Sequence, residues 1–115
     1  MGARTNYTII TTDNPLQNLN IYAHWDGDNS VAIMQAAVAA AMPRIKMGDT
    51  SYATRIIIDQ LTKQGRDEET GYGIYVSEDI YMEEQYEYKE IDLVNHTVTV
   101  GQMTFKLDEF VGVGV

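Results

Sequence analysis

The chain has 115 residues, 44% of them hydrophobic, with no cysteine and a formal net charge of -9. This length and composition are those of one globular domain with its own core, and the lack of cysteine excludes disulfides and thiolate metal sites. The acidic charge argues against direct nucleic-acid binding, which needs a basic face, and permits a partner protein that is itself basic.

The first two predicted elements are strands. Residues 7–11 are mostly aromatic or β-branched and are followed by an Asp-Asn-Pro turn. Over residues 19–25 apolar side chains alternate with polar ones, which indicates a strand with one buried face. We expect the two strands to pair antiparallel, with Trp25 pointing into the core and with Tyr22 and His24 on the opposite face.

The loop after the second strand, residues 26–30, has the composition of a turn. Gly27 is free to take positive φ, and Asn29 or Ser30 is able to cap the helix that follows. The two aspartates of this loop suggest a calcium site, but the position that needs a bidentate glutamate is Ala37. We therefore expect no calcium and no other metal in this loop.

Two helices are predicted next. Apolar side chains recur at helical spacing over residues 30–42, and Pro43 ends or kinks this helix. The second helix is capped by Asp49 or Thr50 and closed by Gly65. Its apolar stripe consists of Tyr52, Ala53, Ile56, Ile57 and Leu61.

From Gly71 onward the hydrophobic period changes to two, which predicts strands. In the first of them Tyr72, Ile74 and Val76 share one side, while Gly73, Tyr75 and Ser77 share the other. Residues 80–94 are expected to form a long strand or a hairpin. Hairpin turns are predicted at 95–96 and 101–102, a short helix at 108–111 and a mobile tail at 112–115.

The element order ββααββββ predicts an α+β fold in a single domain, residues 1–115. Two adjacent helices would pack on one face of an antiparallel β-sheet and form a two-layer sandwich. The other face would expose Tyr22, His24 and Tyr75, which predicts a homo-oligomer. No apolar run approaches the roughly 20 residues that span a bilayer, so we expect a soluble, cytoplasmic protein with no membrane contact.

His24 is the first candidate functional residue, because it lies beside the loop with Tyr22 two positions before it. A lone histidine at a strand end is more often structural, and that alternative stays open. The other histidine, His96, lies in a predicted turn and is expected to be solvated. Because the two are not at ligand spacing, a zinc site is not expected.

A candidate anion site lies at the start of the second helix. Arg44 and Lys46 precede this helix and Arg55 lies one turn inside it, so a phosphate would meet helix amides and guanidinium groups. The alternative is that Arg44 and Lys46 complement the end of the first helix, while Arg55 pairs with Asp59 four residues later.

Residues 81–90 interleave tyrosines with carboxylates. Such a strand is suited to gripping a basic protein surface or mimicking nucleic acid; the alternative is an edge strand whose charges prevent aggregation. No Ser-His-Asp arrangement, P-loop or Rossmann glycine pattern is present, so we expect no enzymatic activity and no cofactor.

Three short motifs resemble those of a group of small proteins encoded by tailed bacteriophages. The motifs are Tyr22-Ala23-His24-Trp25-Asp26-Gly27, then Asp49, Tyr52 and Arg55-Ile56-Ile57 in the second helix, then Thr70-Gly71-Tyr72-Gly73-Ile74. That group has a similar order of motifs and a β-rich second half. This chain has Asp26 where glycine is commoner, and its alanine-rich first helix with Pro43 has no counterpart there. The resemblance implies a phage accessory protein that acts in the host cytoplasm.

These observations predict a non-enzymatic anti-defence protein that sequesters a small nucleotide-like signalling ligand near a homo-oligomer interface. Aromatic rings would stack on the base, while a guanidinium group and the helix amides would meet a phosphate. Two alternatives are an acidic protein that inhibits a host enzyme by direct binding, and a minor virion component. The predicted ligand-binding residues are Tyr22, His24, Trp25, Arg44, Tyr52 and Arg55.

Overall fold

The computed structural model describes residues 3–80 and 86–112, which form a six-stranded sheet with helices packed on one face. The predicted α+β two-layer architecture is confirmed. The order along the sheet is β3-β2-β1-β4-β5-β6. The elements are β1 (Thr5–Ile10), β2 (Leu19–Ala23), α1 (Ser30–Lys46), α2 (Thr50–Thr62), β3 (Tyr72–Val76), β4 (Lys89–Asp92), β5 (Thr97–Val100), β6 (Met103–Lys106) and α3 (Leu107–Val111).

Strand pairing divides the sheet into two antiparallel halves, one of β3, β2 and β1 and the other of β4, β5 and β6. The halves meet where β1 and β4 run parallel, with Thr8 beside Glu90 and Ile10 beside Asp92. The sequence predicted only antiparallel pairing. The sequence did not predict the parallel pair, because local periodicity carries no information about strand direction across a long connection.

Several predicted boundaries differ from the observed ones. Of the predicted strand over residues 80–94, only Lys89–Asp92 is a strand, and residues 81–85 lie outside the described part of the chain. The predicted tail is described only at Gly112. The predicted hairpin turns at 95–96 and 101–102 are confirmed.

The helix ends show how local hydrogen bonds set these boundaries. Helix α1 continues through Pro43 to Lys46. Pro43 has no N–H to donate to the carbonyl of Ala39, four residues before it, but Ala39 is exposed, so water can satisfy that carbonyl. Asp49 caps α2 as predicted, since its side chain accepts a hydrogen bond from the Tyr52 amide at 3.2 Å. Helix α2 ends at Thr62, before Gly65, which does not have the positive φ of a C-terminal glycine cap.

The core lies between the sheet and the two long helices. Tyr7 and Ile9 of β1 and Ile21 of β2 are fully buried beneath them. The buried side of α1 combines the small residues Ala37 and Ala41 with larger apolar ones. The buried helix residues are Met34, Ala37, Val38, Ala41, Ile45, Ala53, Ile57 and Leu61. None of the described helices is both long and apolar enough to cross a membrane.

The opposite sheet face is polar and internally hydrogen-bonded. The Thr8 hydroxyl donates to Asn20 Oδ1 at 2.7 Å, and Asn20 Nδ2 donates to the Ser77 carbonyl at 3.0 Å. The Tyr75 hydroxyl donates to Asn6 Oδ1 at 2.8 Å on the same face. Because these groups have partners within the chain, this face does not require a second copy to cover it, and the homo-oligomer stays a prediction.

Gly27 ties the loop after β2 to two other parts of the chain. Its amide donates to the Ala3 carbonyl at 2.8 Å, and its carbonyl accepts the Ser30 hydroxyl at 2.9 Å. Gly27 does not use its freedom to take positive φ, because it starts a 3₁₀ turn with a right-handed backbone. The glycine is needed for space instead: a Cβ would lie 2.6 Å from Cδ2 of the Tyr86 ring and 2.7 Å from the Ala3 carbonyl oxygen.

Replacing Ile57 by alanine tests the core. Ile57 is fully buried, so Ile57→Ala is expected to lower the free energy of unfolding by about 2 to 5 kcal/mol in urea titrations. The matched control is Ile74→Ala in β3, where the side chain is 56% exposed. The two variants should differ clearly, and equal losses would contradict the observed position of the helices over the sheet.

Replacing Gly27 by alanine tests the loop. The added methyl group must displace the Tyr86 ring and the Ala3 carbonyl, so Gly27→Ala should cost about 1 to 3 kcal/mol of stability. Gly73→Ala is the control, because an added Cβ there meets no atom within 4 Å and the backbone φ is not positive. A Gly27→Ala protein as stable as the parent would show that the loop is not packed in this way.

Candidate functional site

Trp25 lies on the surface, and the prediction that it points into the core is wrong. The side chain is 59% exposed. Strand β2 ends at Ala23, and the amide of His24 then donates to the carbonyl of Gly71 at 2.8 Å. The alternation of faces therefore stops two residues before Trp25, and the chain turns away from the sheet.

The exposed indole is nevertheless held in place. The His24 ring lies edge-on to it, with the ring centroids 4.9 Å apart and an interplanar angle of 84°. Gly71 packs against the indole so closely that a Cβ there would lie 2.7 Å from Cζ3, and its φ of 110° also suits glycine. Two fixed neighbours thus position a ring that remains more than half exposed.

His24 is oriented by Tyr22, in agreement with their predicted place on one face. The Tyr22 hydroxyl lies 2.6 Å from Nδ1 of His24, and the two rings meet edge-on with centroids 5.9 Å apart. The Nδ1 atom of His24 is therefore already hydrogen-bonded within the chain. Within residues 3–80 and 86–112 no group bonds to Nε2, which is therefore left for a ligand.

The aspartates of the loop are bonded to tyrosines. The Tyr72 hydroxyl donates to Asp26 Oδ2 at 2.6 Å, and the Tyr86 hydroxyl donates to Asp28. Burial, followed by the hydrogen bond to Asp26, raises the pKa of Tyr72 well above its ordinary value. The hydrogen bond to Asp28 likewise raises the pKa of Tyr86. Both hydroxyls therefore stay protonated at neutral pH, and they hold the loop by donating to it.

Two of the cations predicted to bind phosphate, Arg44 and Lys46, are already paired with carboxylates of the chain. Arg44 Nη1 lies 3.3 Å from Asp49 Oδ2, and its guanidinium carbon is 4.8 Å from the centre of the Tyr52 ring. Asp49 also accepts the Tyr52 amide at the helix start. Lys46 pairs with Asp108 of α3 at 3.3 Å. A carboxylate of the chain thus occupies the place where the sequence predicted an anion.

Arg55 lies on the exposed side of α2, and the pair with Asp59 that was the alternative to an anion site does not form. Asp59 pairs with Arg66 in the loop after the helix. In the part of the chain that the structure describes, Arg55 has no ion-pair partner. It is free to meet a ligand, but only one that binds on the outside of α2.

The six predicted binding residues form two separate groups. Tyr22, His24 and Trp25 lie beside the start of α1, whereas Arg44 is in its last turn, followed by Tyr52 and Arg55 on α2. Helix α1 has 17 residues, and a rise of about 1.5 Å per residue puts about 25 Å between its ends. One small ligand therefore does not contact both groups.

Sequence reasoning missed Gly71 and Tyr72, two neighbours of the loop from Trp25 to the start of α1, which is called the Trp25 loop below. Their contacts with residues 46 positions away leave no local signal, although both fall in a motif of the phage-like pattern.

Beside Tyr72, a groove of about 390 Å³ runs between α2 and β3, lined by Ile58, Thr62, Gly65, Arg66, Glu68, Tyr72, Gly73 and Ile74. Among the described residues, no group of three or more histidine, aspartate or glutamate side chains is placed to hold a metal ion.

Comparison of the chain with models of protein families, with curated proteins and with solved structures found no match. The resemblance of the three motifs to proteins of tailed bacteriophages is not tested by these comparisons and stays a prediction. Within the described ranges, the Trp25 loop combines an exposed aromatic ring that is held by its neighbours with a histidine nitrogen, His24 Nε2, that has no partner there.

Proposed function

We propose that the chain is a non-enzymatic accessory protein of a tailed bacteriophage that binds a nucleotide-like ligand with its base against Trp25. The observation that carries this proposal is the indole ring, 59% exposed and yet held by Gly71 and His24. A ring fixed before binding loses little conformational entropy when a flat ligand stacks on it. Stacking of one base contributes about 1 to 3 kcal/mol, whatever the base.

Polar atoms beside the indole supply the hydrogen bonds that distinguish a base from another flat ring. Asp26 uses Oδ2 for Tyr72, while Oδ1 has no bond within the described residues. That oxygen accepts from an amino or ring N–H group, and His24 Nε2 donates or accepts according to its tautomer. Bases that carry an exocyclic amino group match this set best.

The phosphate contact expected from the sequence is not available to a ligand on Trp25. Arg44 and Arg55 lie toward the other end of α1, and the carboxylates of Asp26 and Asp28 lie next to the indole in the chain. These charges repel a phosphate, as does the net charge of -9. The nucleoside part therefore carries the affinity, and a phosphate group would extend into solvent.

Sequestration without chemistry is the role that these groups favour. The hydroxyls of Tyr72 and Tyr86 donate to Asp26 and Asp28, so their protons are already engaged, and the raised pKa of each makes a tyrosinate base even less accessible at neutral pH than in an ordinary tyrosine. The phage-like motifs support an anti-defence role in the host cytoplasm, in which removing a free signalling nucleotide would itself be the effect.

Replacing Trp25 by alanine tests the proposal, with Tyr52→Ala as the matched control because Tyr52 is also exposed, at 53%, near the other end of α1. Binding of adenosine, guanosine, cytidine, uridine and their 5′-monophosphates is measured by isothermal titration calorimetry. Trp25→Ala should weaken nucleoside binding by about tenfold or more while Tm changes by only a few degrees. Tyr52→Ala should bind like the parent.

Three results would overturn the proposal. The first is that no nucleoside or monophosphate binds the parent protein and none raises its Tm. The second is that Trp25→Ala keeps its affinity while Arg55→Lys loses it, which would place the ligand at α2 as the sequence first predicted. The third is a monophosphate that binds much more tightly than its nucleoside, because the Asp26 and Asp28 carboxylates should repel the added charge.

A further inference from the structure

Strand β3 is an edge of the sheet. It pairs with β2 on one side only, from Ala23 beside Tyr72 to Leu19 beside Val76, and it stands last in the strand order. In the part of the chain that the structure describes, no strand pairs with its outer side. An edge of this kind presents backbone groups to which another extended chain adds by hydrogen bonding.

The edge lacks the usual protections within the strand itself. Residues 72–76 contain no charge and no proline. Ile74 and Val76 are 56% and 57% exposed, because the helices cover β1 and β2 but do not extend over β3. The other edge strand differs, since β6 ends in a lysine and leads directly into α3. Among the described residues, β3 therefore presents an unpaired edge with no charge and no proline, to which a strand can add.

A groove lies beside the helix side of β3. Tyr72, Ile74 and Val76 face this side, as their pairing with Ala23, Ile21 and Leu19 requires. The groove of about 390 Å³ between β3 and α2 is bordered by Ile58 and Ile74, and its lining also includes the polar residues Thr62, Arg66 and Glu68. An added strand would place alternate side chains on this side of the sheet, where an aliphatic side chain fits the groove.

Charge decides what kind of strand fits. Exposed carboxylates stand just before and just after β3, and the one cation among them, Arg66, is paired with Asp59. In a pair formed by two copies of this chain, antiparallel or parallel, acidic flanks would meet acidic flanks. The flanking acids are Asp67, Glu68 and Glu69 on one side and Glu78 and Asp79 on the other.

We propose that the β3 edge is a docking site for an extended segment of another protein that is apolar in its centre and basic at both ends. The segment adds to the six-stranded sheet as a further strand. Backbone hydrogen bonds supply affinity, the groove beside Ile74 selects an aliphatic side chain, and the acidic flanks select lysine or arginine. This site does not include the Trp25 ring, although Tyr72, which borders it, also bonds to Asp26. It suits an acidic protein that blocks a basic surface of a partner.

The test uses a fluorescent peptide of sequence KKVTITVKK, with EEVTITVEE as its charge-reversed control and a form N-methylated in the centre as its backbone control. Fluorescence anisotropy should show binding of the basic peptide alone, weakening as salt rises. In the NMR spectrum of the protein, amides of residues 72–76 should shift on titration. The acidic and N-methylated peptides should leave anisotropy and spectrum unchanged.

Variants of the protein locate the site. Ile74→Lys puts a charge on an exposed position of the edge and should weaken binding by about tenfold or more, with little change in Tm. The matched control is Met103→Lys, which makes the same charge change at a 62% exposed position on the other edge strand. The double variant Glu68→Lys with Glu78→Lys leaves the strand intact and should lose the preference for the basic peptide.

Three outcomes would overturn the proposal. The basic peptide fails to bind, or Ile74→Lys and Met103→Lys bind it equally well, or light scattering shows a dimer that Ile74→Lys dissociates. The last result would make a second copy of this chain the occupant. Trp25→Ala should bind the peptide like the parent, so failure of nucleoside binding and failure of peptide docking are distinguishable.

Discussion

The sheet depends on β1, which hydrogen-bonds to β2 on one side and to β4 on the other. Without the β1–β4 contact the chain would consist of two three-stranded pieces, each with one more open edge. Joining them closes a loop from Thr8 to Glu90, and the entropy lost in doing so grows only slowly with loop length. Burial of Tyr7, Ile9 and Ile91 where the pieces meet offsets that loss.

The helix layer is narrower than the sheet, and this mismatch leaves both proposed surfaces open. Helices α1 and α2 bury the inner faces of β1 and β2, but Ile74 and Val76 of β3 remain exposed. Trp25 stands on the neighbouring corner, where β2 has ended and Gly71 leads into β3. A small ligand and an extended peptide would therefore occupy adjacent regions on one side of the molecule.

Local patterns predicted the β1–β2 pair, both long helices, the Asp49 cap and the two late hairpin turns, because each depends on residues close in sequence. The parallel partner of β1 and the end of β2 depend on distant contacts, which no window of sequence contains. Of the predicted binding residues, Tyr22 and His24 do lie in contact, as expected for one face of a strand, whereas the Trp25 ring packs against His24 at the surface only because β2 ends before it. Arg44, Tyr52 and Arg55 do not join them, because Arg44 is in the last turn of α1 and the 17 residues of this helix separate the two groups.

Trp25 is the only tryptophan of the chain, and it lies at the surface instead of in the core. Indole emission responds to the polarity around the ring, and this ring is already in contact with water in the native state. The emission wavelength should therefore change little when the protein unfolds, whereas most globular proteins show a clear red shift. Intrinsic tryptophan fluorescence is for this reason a poor measure of folding in this protein. It should instead respond selectively to a molecule that binds at the loop between β2 and α1.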